Sequence, residues 1–305
     1  MIILASYDAG GGISHFTNRI YNILQQEYGR IKLYITKNSS SYIFFKVLLH
    51  YRPKTIIIHD YFPFLIQAAA HYKIVDSNTT LIFISLCKEE PPNGLELFDH
   101  ILLPQTVSLH FSRNEHFIVS KDFYYPLGKK FKKTKWWNER KAFIYVGRIC
   151  RSKINLELIK TLDNSNMIID VYGNITEYDY YKILTHYKSF NYKGAAPHYK
   201  LPTILNNYKF HLLASQTDCF SISSLESAAC GTIPVFVNCC RKLEWAKDIS
   251  FRLTLTEFWK LIPLLITSNL EPFSTQISDY VLSLYNKDSF LQLFKEIKND
   301  RHNRS

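Results

Sequence analysis

Two carboxylates stand eight positions apart in the stretch from Tyr208 to Val237, YKFHLLASQTDCFSISSLESAACGTIPVFV. Asp218 falls in a polar loop. Glu226 falls inside the helical pattern that follows, about two turns beyond Asp218 at 3.6 residues per turn, so both can face one ligand above the strand ends. Upstream, Gly147 and Arg148 close an apolar run, and Lys153 follows five positions after Arg148 at the entrance of a helix. Near the amino terminus, Gly10, Gly11 and Gly12 stand between a strand-like run and a helix, where glycines let backbone amides approach a phosphate. Taken singly, each group has a plainer reading. Asp218 is a loop or N-cap residue, Glu226 a solvated helix residue, Arg148 and Lys153 a surface pair, and the glycines a tight turn.

The elements that must position these residues follow from periodicity. Phe210 to Leu213 is a short apolar run ending in the polar loop 215–218, which reads as a buried parallel strand that stops at a site. A helix starts near Ser221 with Ile222, Leu225 and Ala229 on one face. Gly231 and Pro234 end it before a strand at Val235 to Val237, completing a βαβ unit. Strands are also expected at Ile2 to Ser6, Ile31 to Ile35, Thr55 to His59, Leu81 to Leu86, Ala142 to Val146 and Met167 to Tyr172. The first is followed by a helix N-capped by Ser14, with Phe16, Ile20, Ile23 and Leu24 on one face. Helical patterns cover Ser41 to Arg52, Leu253 to Ile266 and Tyr280 to Ile297. The βαβα rhythm predicts parallel sheets covered on both faces, with His59 and Asp60 at a strand end.

The acidic pair, the run Glu226-Ser-Ala-Ala-Cys-Gly-Thr-Ile-Pro-Val and the upstream Gly147-Arg148 with Lys153 together resemble retaining GT-B glycosyltransferases of the family 4 type. Asp218 stands where that family usually has glutamate, and Ser221 where it has glycine. The resemblance is specific from Tyr145 to Val237. It implies an α/β GT-B fold, two Rossmann-like domains facing across a cleft, and metal-independent transfer of a sugar from a nucleotide sugar with retention of configuration. Arg148 and Lys153 would hold the donor diphosphate, whose negative charge grows as it departs. Glu226 would bind the ribose hydroxyls and Asp218 orient the sugar. Backbone amides of Cys219, Phe220 and Ser221, with Gly11 and Gly12, would assist donor binding. No cofactor is implied beyond the donor substrate. The family's donor-contacting histidine has no counterpart here, Cys87 being the nearest match.

The domain division expected is 1–128 for an acceptor-side Rossmann-like domain, 129–140 for a basic linker and 141–285 for the nucleotide-sugar domain. A final helix, 286–305, would return to the first domain. The chain has 305 residues, of which 47% are hydrophobic, enough for two cores, and no apolar stretch long enough to span a bilayer. Six cysteines show neither CxxC pairs nor histidines at zinc-finger spacing, so free thiols are expected, in a cytoplasmic protein. A net charge of +11 favours anionic partners. The resemblance implies as partners a nucleotide sugar, a glycan or lipid-linked acceptor and, through 41–52, an anionic membrane surface on its inner face. A buried core helix is the alternative there. Nucleic acid is the rival partner, as for a viral-type DNA-modifying glycosyltransferase, with Lys129 to Lys135 and interfacial anchors Trp136 and Trp137 available. A non-catalytic nucleotide-sugar or nucleic-acid binding module is a further reading.

Overall fold

The computed structural model describes residues 1–7, 11–37, 40–60, 62–85, 97–104, 118–216, 220–239 and 246–302. The chain divides into two compact units, Met1–Pro126 with Tyr285–Ser305, and Leu127–Leu284. The first unit alternates β1 (Ile2–Tyr7), α1 (Gly11–Tyr28), β2 (Ile31–Thr36), α2 (Ser41–Tyr51), β3 (Thr55–His59), α3 (Pro63–Val75) and β4 (Thr80–Ile84), then β5 (His100–Pro104) and β6 (Ile118–Phe123). Its strands pair in the order β2-β1-β3-β4-β5-β6, every pair parallel. Strands buried on both faces read as continuous apolar runs, which is why TIIIH and TLIFI carry so little polarity. On one face, Ile3, Ala5, Ile56, Ile58, Leu81 and Phe83 meet Phe44 and Leu48 of α2 and Leu65, Ala69 and Tyr72 of α3.

The apolar stripe expected on α1 is buried as anticipated at Phe16, Ile20, Ile23 and Leu24. Ser14 is not its N-cap. The helix already runs from Gly11, and the Ser14 carbonyl accepts from Asn18 within it. Helix α2 is capped by Ser40, whose hydroxyl accepts from the Ile43 amide, and closed by Arg52 in the left-handed region at φ 46°. Only its inner face is covered. Phe44 and Leu48 are buried, whereas Tyr42, Ile43, Leu49 and Tyr51 are exposed.

The second unit contains β7 (Lys141–Val146), α4 (Leu156–Asn164), β8 (Ile169–Tyr172), α5 (Tyr178–Leu184), β9 (Phe190–Gly194), α6 (Leu201–Leu205), β10 (Tyr208–Leu213), α7 (Ile222–Ala229), β11 (Ile233–Val237), β12 (Phe251–Leu253), α8 (Leu255–Thr267) and α9 (Glu271–Leu284). Its strand order is β12-β11-β10-β7-β8-β9, again all parallel. The order reverses between β7 and β10, and in such sheets ligands bind outside the carboxyl ends of the strands at that reversal. The last helix, α10 (Lys287–His302), belongs to the first unit. The helical stretch expected from Tyr280 to Ile297 is two helices. Asn286 breaks it by accepting from the amides of Asp288 and Ser289.

The basic run 129–140 differs from the solvated linker expected, because the second unit absorbs it. Phe131, Trp137 and Arg140 are buried. Lys133 pairs with Glu271, whose other oxygen accepts from the Trp137 amide at 2.7 Å. The Trp137 indole N–H donates to the Ser268 carbonyl at 2.8 Å, so Trp137 is no interfacial anchor. Arg140 donates to the carbonyls of Lys135, Tyr208 and Cys230, tying the run to β10 and the end of α7.

Candidate functional site

The reversal between β7 and β10 is bounded by two loops that hold one another. After β7, Ile149 donates to the Asn174 carbonyl and accepts from the amides of Thr176 and Glu177, fixing the loop against the end of β8. On the other side, the Ser152 carbonyl accepts from the Gln216 amide at 3.1 Å and the Ser215 hydroxyl at 3.3 Å. Arg148 and Lys153 therefore project from a backbone pinned on both sides. Arg148 is exposed and Lys153 half-buried, and no ion pair to Arg148 is found among the described residues. Close backbone approach shapes this loop further. A Cβ on Gly173 would lie 1.7 Å from the Gly147 carbonyl oxygen, so only glycine allows the ends of β7 and β8 to come this near.

Beneath the loop lies a polar chain that sequence reasoning missed. His211, on β10, is fully buried. Its Nε2 accepts from the Val146 amide at 3.3 Å, immediately before Gly147 and Arg148. That bond fixes the tautomer, so Nδ1 carries the proton and donates to the Ser224 hydroxyl at 3.2 Å. Ser224 is bonded in turn to Ser221, the N-cap of α7, whose hydroxyl accepts from the Ser224 amide at 3.2 Å. Burial pushes the imidazole down to about 4, so it is neutral at pH 7 and serves as a two-sided tether between the cationic loop and the start of α7. One polar residue inside FHLL, in a strand covered on both faces, is the signal that could have identified it.

Helix α7 begins where its spacing predicts and carries Glu226 in its fifth position. Glu226 is not a solvated helix residue. It is 2% exposed, and its Oε1 lies 2.6 Å from Nε2 of His198, in the short turn His198–Lys200 after β9. The far end of α7 is held closely as well. Gly231, at φ 71°, donates to the Ala228 carbonyl, and the hydroxyls of Ser274 and Ser278 on α9 donate to the carbonyls of Gly231 and Ala229. Cys230, at the C-cap, has its thiol pushed up to about 12 by burial and by the charge of Glu226, which makes it a packing group rather than a nucleophile.

The structure thus brings Arg148, Lys153, Ser221 and Glu226 to the carboxyl-end side of one parallel sheet, with Phe220 buried beside the α7 N-cap. Asp218 and Cys219, together with Cys87 and the glycine-loop residues 8–10, lie outside the described residues. Gly11 and Gly12 open α1 in the first unit. In that unit His59 is fully buried under Phe16, its Nδ1 2.7 Å from the Thr17 hydroxyl. It fits a packed core position better than a ligand contact. A cavity of about 610 Å³ opens farther along the second sheet, beside Gln216, Asn238 and Thr254 at the ends of β10, β11 and β12, and neither Arg148 nor Glu226 lines it. Among the described residues no group of three or more His, Cys, Asp or Glu is placed to hold a metal ion.

No protein-family model and no curated protein matches the sequence. Solved structures do match in shape. The sucrose-phosphate synthase of Thermosynechococcus elongatus superposes with a TM-score of 0.75 at 10% identity, covering 100% of this chain and 100% of that one. The lipopolysaccharide outer core galactosyltransferase WaaB, in its apo form, gives 0.65 at 12% identity over 97% of this chain and 100% of that one. The pneumococcal O-GlcNAc transferase GtfA, in complex with UDP and GlcNAc, gives 0.59 at 10% identity over 85% of this chain, which spans 59% of that chain's length. At these identities the likeness establishes the fold, which is α/β, GT-B, with two Rossmann-like units.

Proposed function

We propose that this chain is a retaining glycosyltransferase that moves a sugar from a nucleotide sugar to a glycan or lipid-linked glycan acceptor. The observation that carries the reading is Glu226, a buried carboxylate held by His198 on the helix that starts at the sheet's reversal, with Arg148 exposed at the loop opposite. A buried carboxylate is costly unless it is paired, and one kept on a helix that starts at the reversal of a parallel sheet is equipped to accept hydrogen bonds from hydroxyls. In this reading Glu226 receives the ribose hydroxyls, and Arg148 and Lys153 hold the diphosphate. Asp218 orients the sugar, and the amides of Cys219, Phe220 and Ser221, with Gly11 and Gly12, complete the donor contacts. The bond from the sugar's anomeric carbon to the phosphate oxygen breaks as the acceptor oxygen bonds that carbon on the same face. The acceptor's proton passes to the departing phosphate oxygen, so neither a metal nor a further cofactor is invoked. Fixed cations stabilise the charge that develops on that oxygen.

A lipid-linked acceptor, and work at the inner face of the cytoplasmic membrane, are supported by α2. Its uncovered face presents Tyr42, Ile43, Leu49 and Tyr51, with Lys46 over the Tyr42 ring and Lys32 over that of Tyr51. Between Glu27 and Asp60 the sequence holds six lysines and arginines and no carboxylate. Aromatic rings beside cations suit an anionic bilayer surface.

The test is to offer the purified protein a panel of nucleotide sugars and measure donor binding and slow donor hydrolysis, then transfer to extracted glycolipid and to duplex DNA. Turnover with glycolipid is expected. Transfer to duplex DNA instead would make the nucleic-acid reading correct, and binding without turnover would make the chain a binding module.

A further inference from the structure

We propose that His198 is a positioning residue that aims the Glu226 carboxylate at the ribose of the donor and thereby makes the site selective for ribonucleotides. The inference rests on the glycosyltransferase reading and extends it to a residue 28 positions upstream of Glu226, on a different element. A glutamate's last torsion is broad and roughly two-fold, so an unheld carboxylate presents its oxygens in many orientations. Here Oε1 lies 2.6 Å from His198 Nε2. An ionised carboxylate can only accept, so Nε2 carries the proton and donates. This charge-assisted bond fixes the carboxylate plane and leaves Oε2 with its acceptor capacity for a ligand hydroxyl.

His198 is itself held. Pro197, at φ −59°, leads into its turn, and the imidazole packs against the buried Phe131 ring with centroids 5.3 Å apart. The side chain of Glu226 is 3% exposed and that of His198 20%, so the pair sits at the edge of the interior with the histidine on the more open side. A nucleoside diphosphate with both ribose hydroxyls would find one oriented acceptor. A deoxyribose analogue lacks a hydroxyl and leaves that buried acceptor unpaired, which costs far more than the contact alone contributes in water. The selectivity therefore depends on the orientation of Oε2, which His198 supplies.

The experiment is calorimetric titration of the wild type and of His198→Ala, His198→Asn and His198→Gln. The probes are UDP, GDP and ADP, the 2′-deoxy counterpart of each, and inorganic pyrophosphate. The wild type should prefer the ribose form of its nucleotide by about tenfold or more, the range expected for a hydrogen bond to a charged group. His198→Ala, and His198→Asn, which is too short to reach, should bring the ratio near one while leaving pyrophosphate affinity unchanged. His198→Gln can place an amide N–H near the position of Nε2 and should restore much of the preference. A ratio untouched in His198→Ala and His198→Asn overturns the assignment of His198 alone. So does a parallel loss of pyrophosphate and nucleotide binding, which marks a merely structural role. If the wild type binds none of the three nucleoside diphosphates, the glycosyltransferase reading falls, and this inference with it.

Discussion

Acidification should destabilise this protein between about pH 7 and pH 5, because each unit contains a fully buried histidine that burial keeps neutral, His59 in the first and His211 in the second. His211, in the second unit, is held down at about 4 by burial, against which the Val146 amide bond is the lesser influence. His59, in the first, is pushed by burial to about 3. Neither ring is paired with a carboxylate among the described residues. Their neighbours are Ser224, the Val146 amide and the Tyr145 ring for His211, and Thr17 and the Phe16 ring for His59. An unfolded histidine titrates near 6.5, so below that pH the unfolded chain binds protons that the folded one refuses. The stability these groups contribute is complete above the unfolded value and is lost progressively as pH falls from about 6.5 toward the folded values of about 4 and 3. Integrating the linkage from about pH 7 to about pH 5 gives a loss of roughly 2 kcal/mol per histidine, a large part of the 5 to 15 kcal/mol that folded domains possess. Two carboxylates enter only lower down. Burial would raise Asp170 and Glu271, but hydrogen bonds from Tyr208 and Lys141, and from Lys133 and the Trp137 amide, hold them below their ordinary values. Urea unfolding at half-unit steps between pH 7 and 5 measures the slope for each unit. In His211→Gln, which keeps a donor and an acceptor but does not titrate, the slope of the second unit should fall by about one proton. A wild-type stability flat across this range, or an unchanged slope in His211→Gln, would refute the reasoning.

Further outcomes follow from the same contacts. In the proposed reaction the charges of Arg148 and Lys153 matter most as the diphosphate departs, so Arg148→Ala and Lys153→Ala should each slow transfer by about a hundredfold while weakening donor binding less; single-turnover rates beside titration calorimetry separate the two effects. Glu226→Gln should weaken donor binding by roughly 1.5 to 3 kcal/mol, and calorimetry with the nucleoside diphosphate checks it. Gly231→Ala should cost about 1 to 3 kcal/mol in urea unfolding, because the residue sits at φ 71° and its Cβ would lie 2.7 Å from the Ser274 hydroxyl and the Lys133 side chain. The protein should sediment with anionic vesicles and detach as salt rises, screening being effective beyond about 8 Å at physiological ionic strength; salt-independent absence from the pellet would remove α2 as a membrane contact.

What was legible in the sequence, and what was not, divides along physical lines. Strands β1, β3, β4, β7 and β10 were visible because burial on both faces forces continuous apolar runs, and α7 because Ser221, Gly231 and Pro234 mark its two ends. Strand β12 was not, since Phe251–Leu253 is three residues long and its central residue is an exposed arginine. The basic run 129–140 misled for a different reason. Its lysines look solvated one by one, and only the fold supplies Glu271 for Lys133 and four polar partners for the Arg140 guanidinium. The same limit governs the candidate site. Arg148, Lys153 and Glu226 belong to a local pattern, whereas their supports, His211 and His198, act across 65 and 28 residues.

Those supports explain how helix α7 can be buried almost all round and still carry a carboxylate. Ser224, Ser227, Ala228 and Ala229 are small enough for α7 to lie close against its neighbours, and their hydroxyls are satisfied locally, Ser227 by the Ser223 carbonyl at 2.7 Å. The helix therefore has little freedom to shift in response to a ligand. A carboxylate placed on so fixed an element, and oriented by a histidine from another, loses little entropy when it accepts a hydroxyl. The binding free energy of that contact then remains available for orienting the rest of the ligand, which is what the proposed transfer needs if the anomeric carbon is to be held at bonding distance from its acceptor.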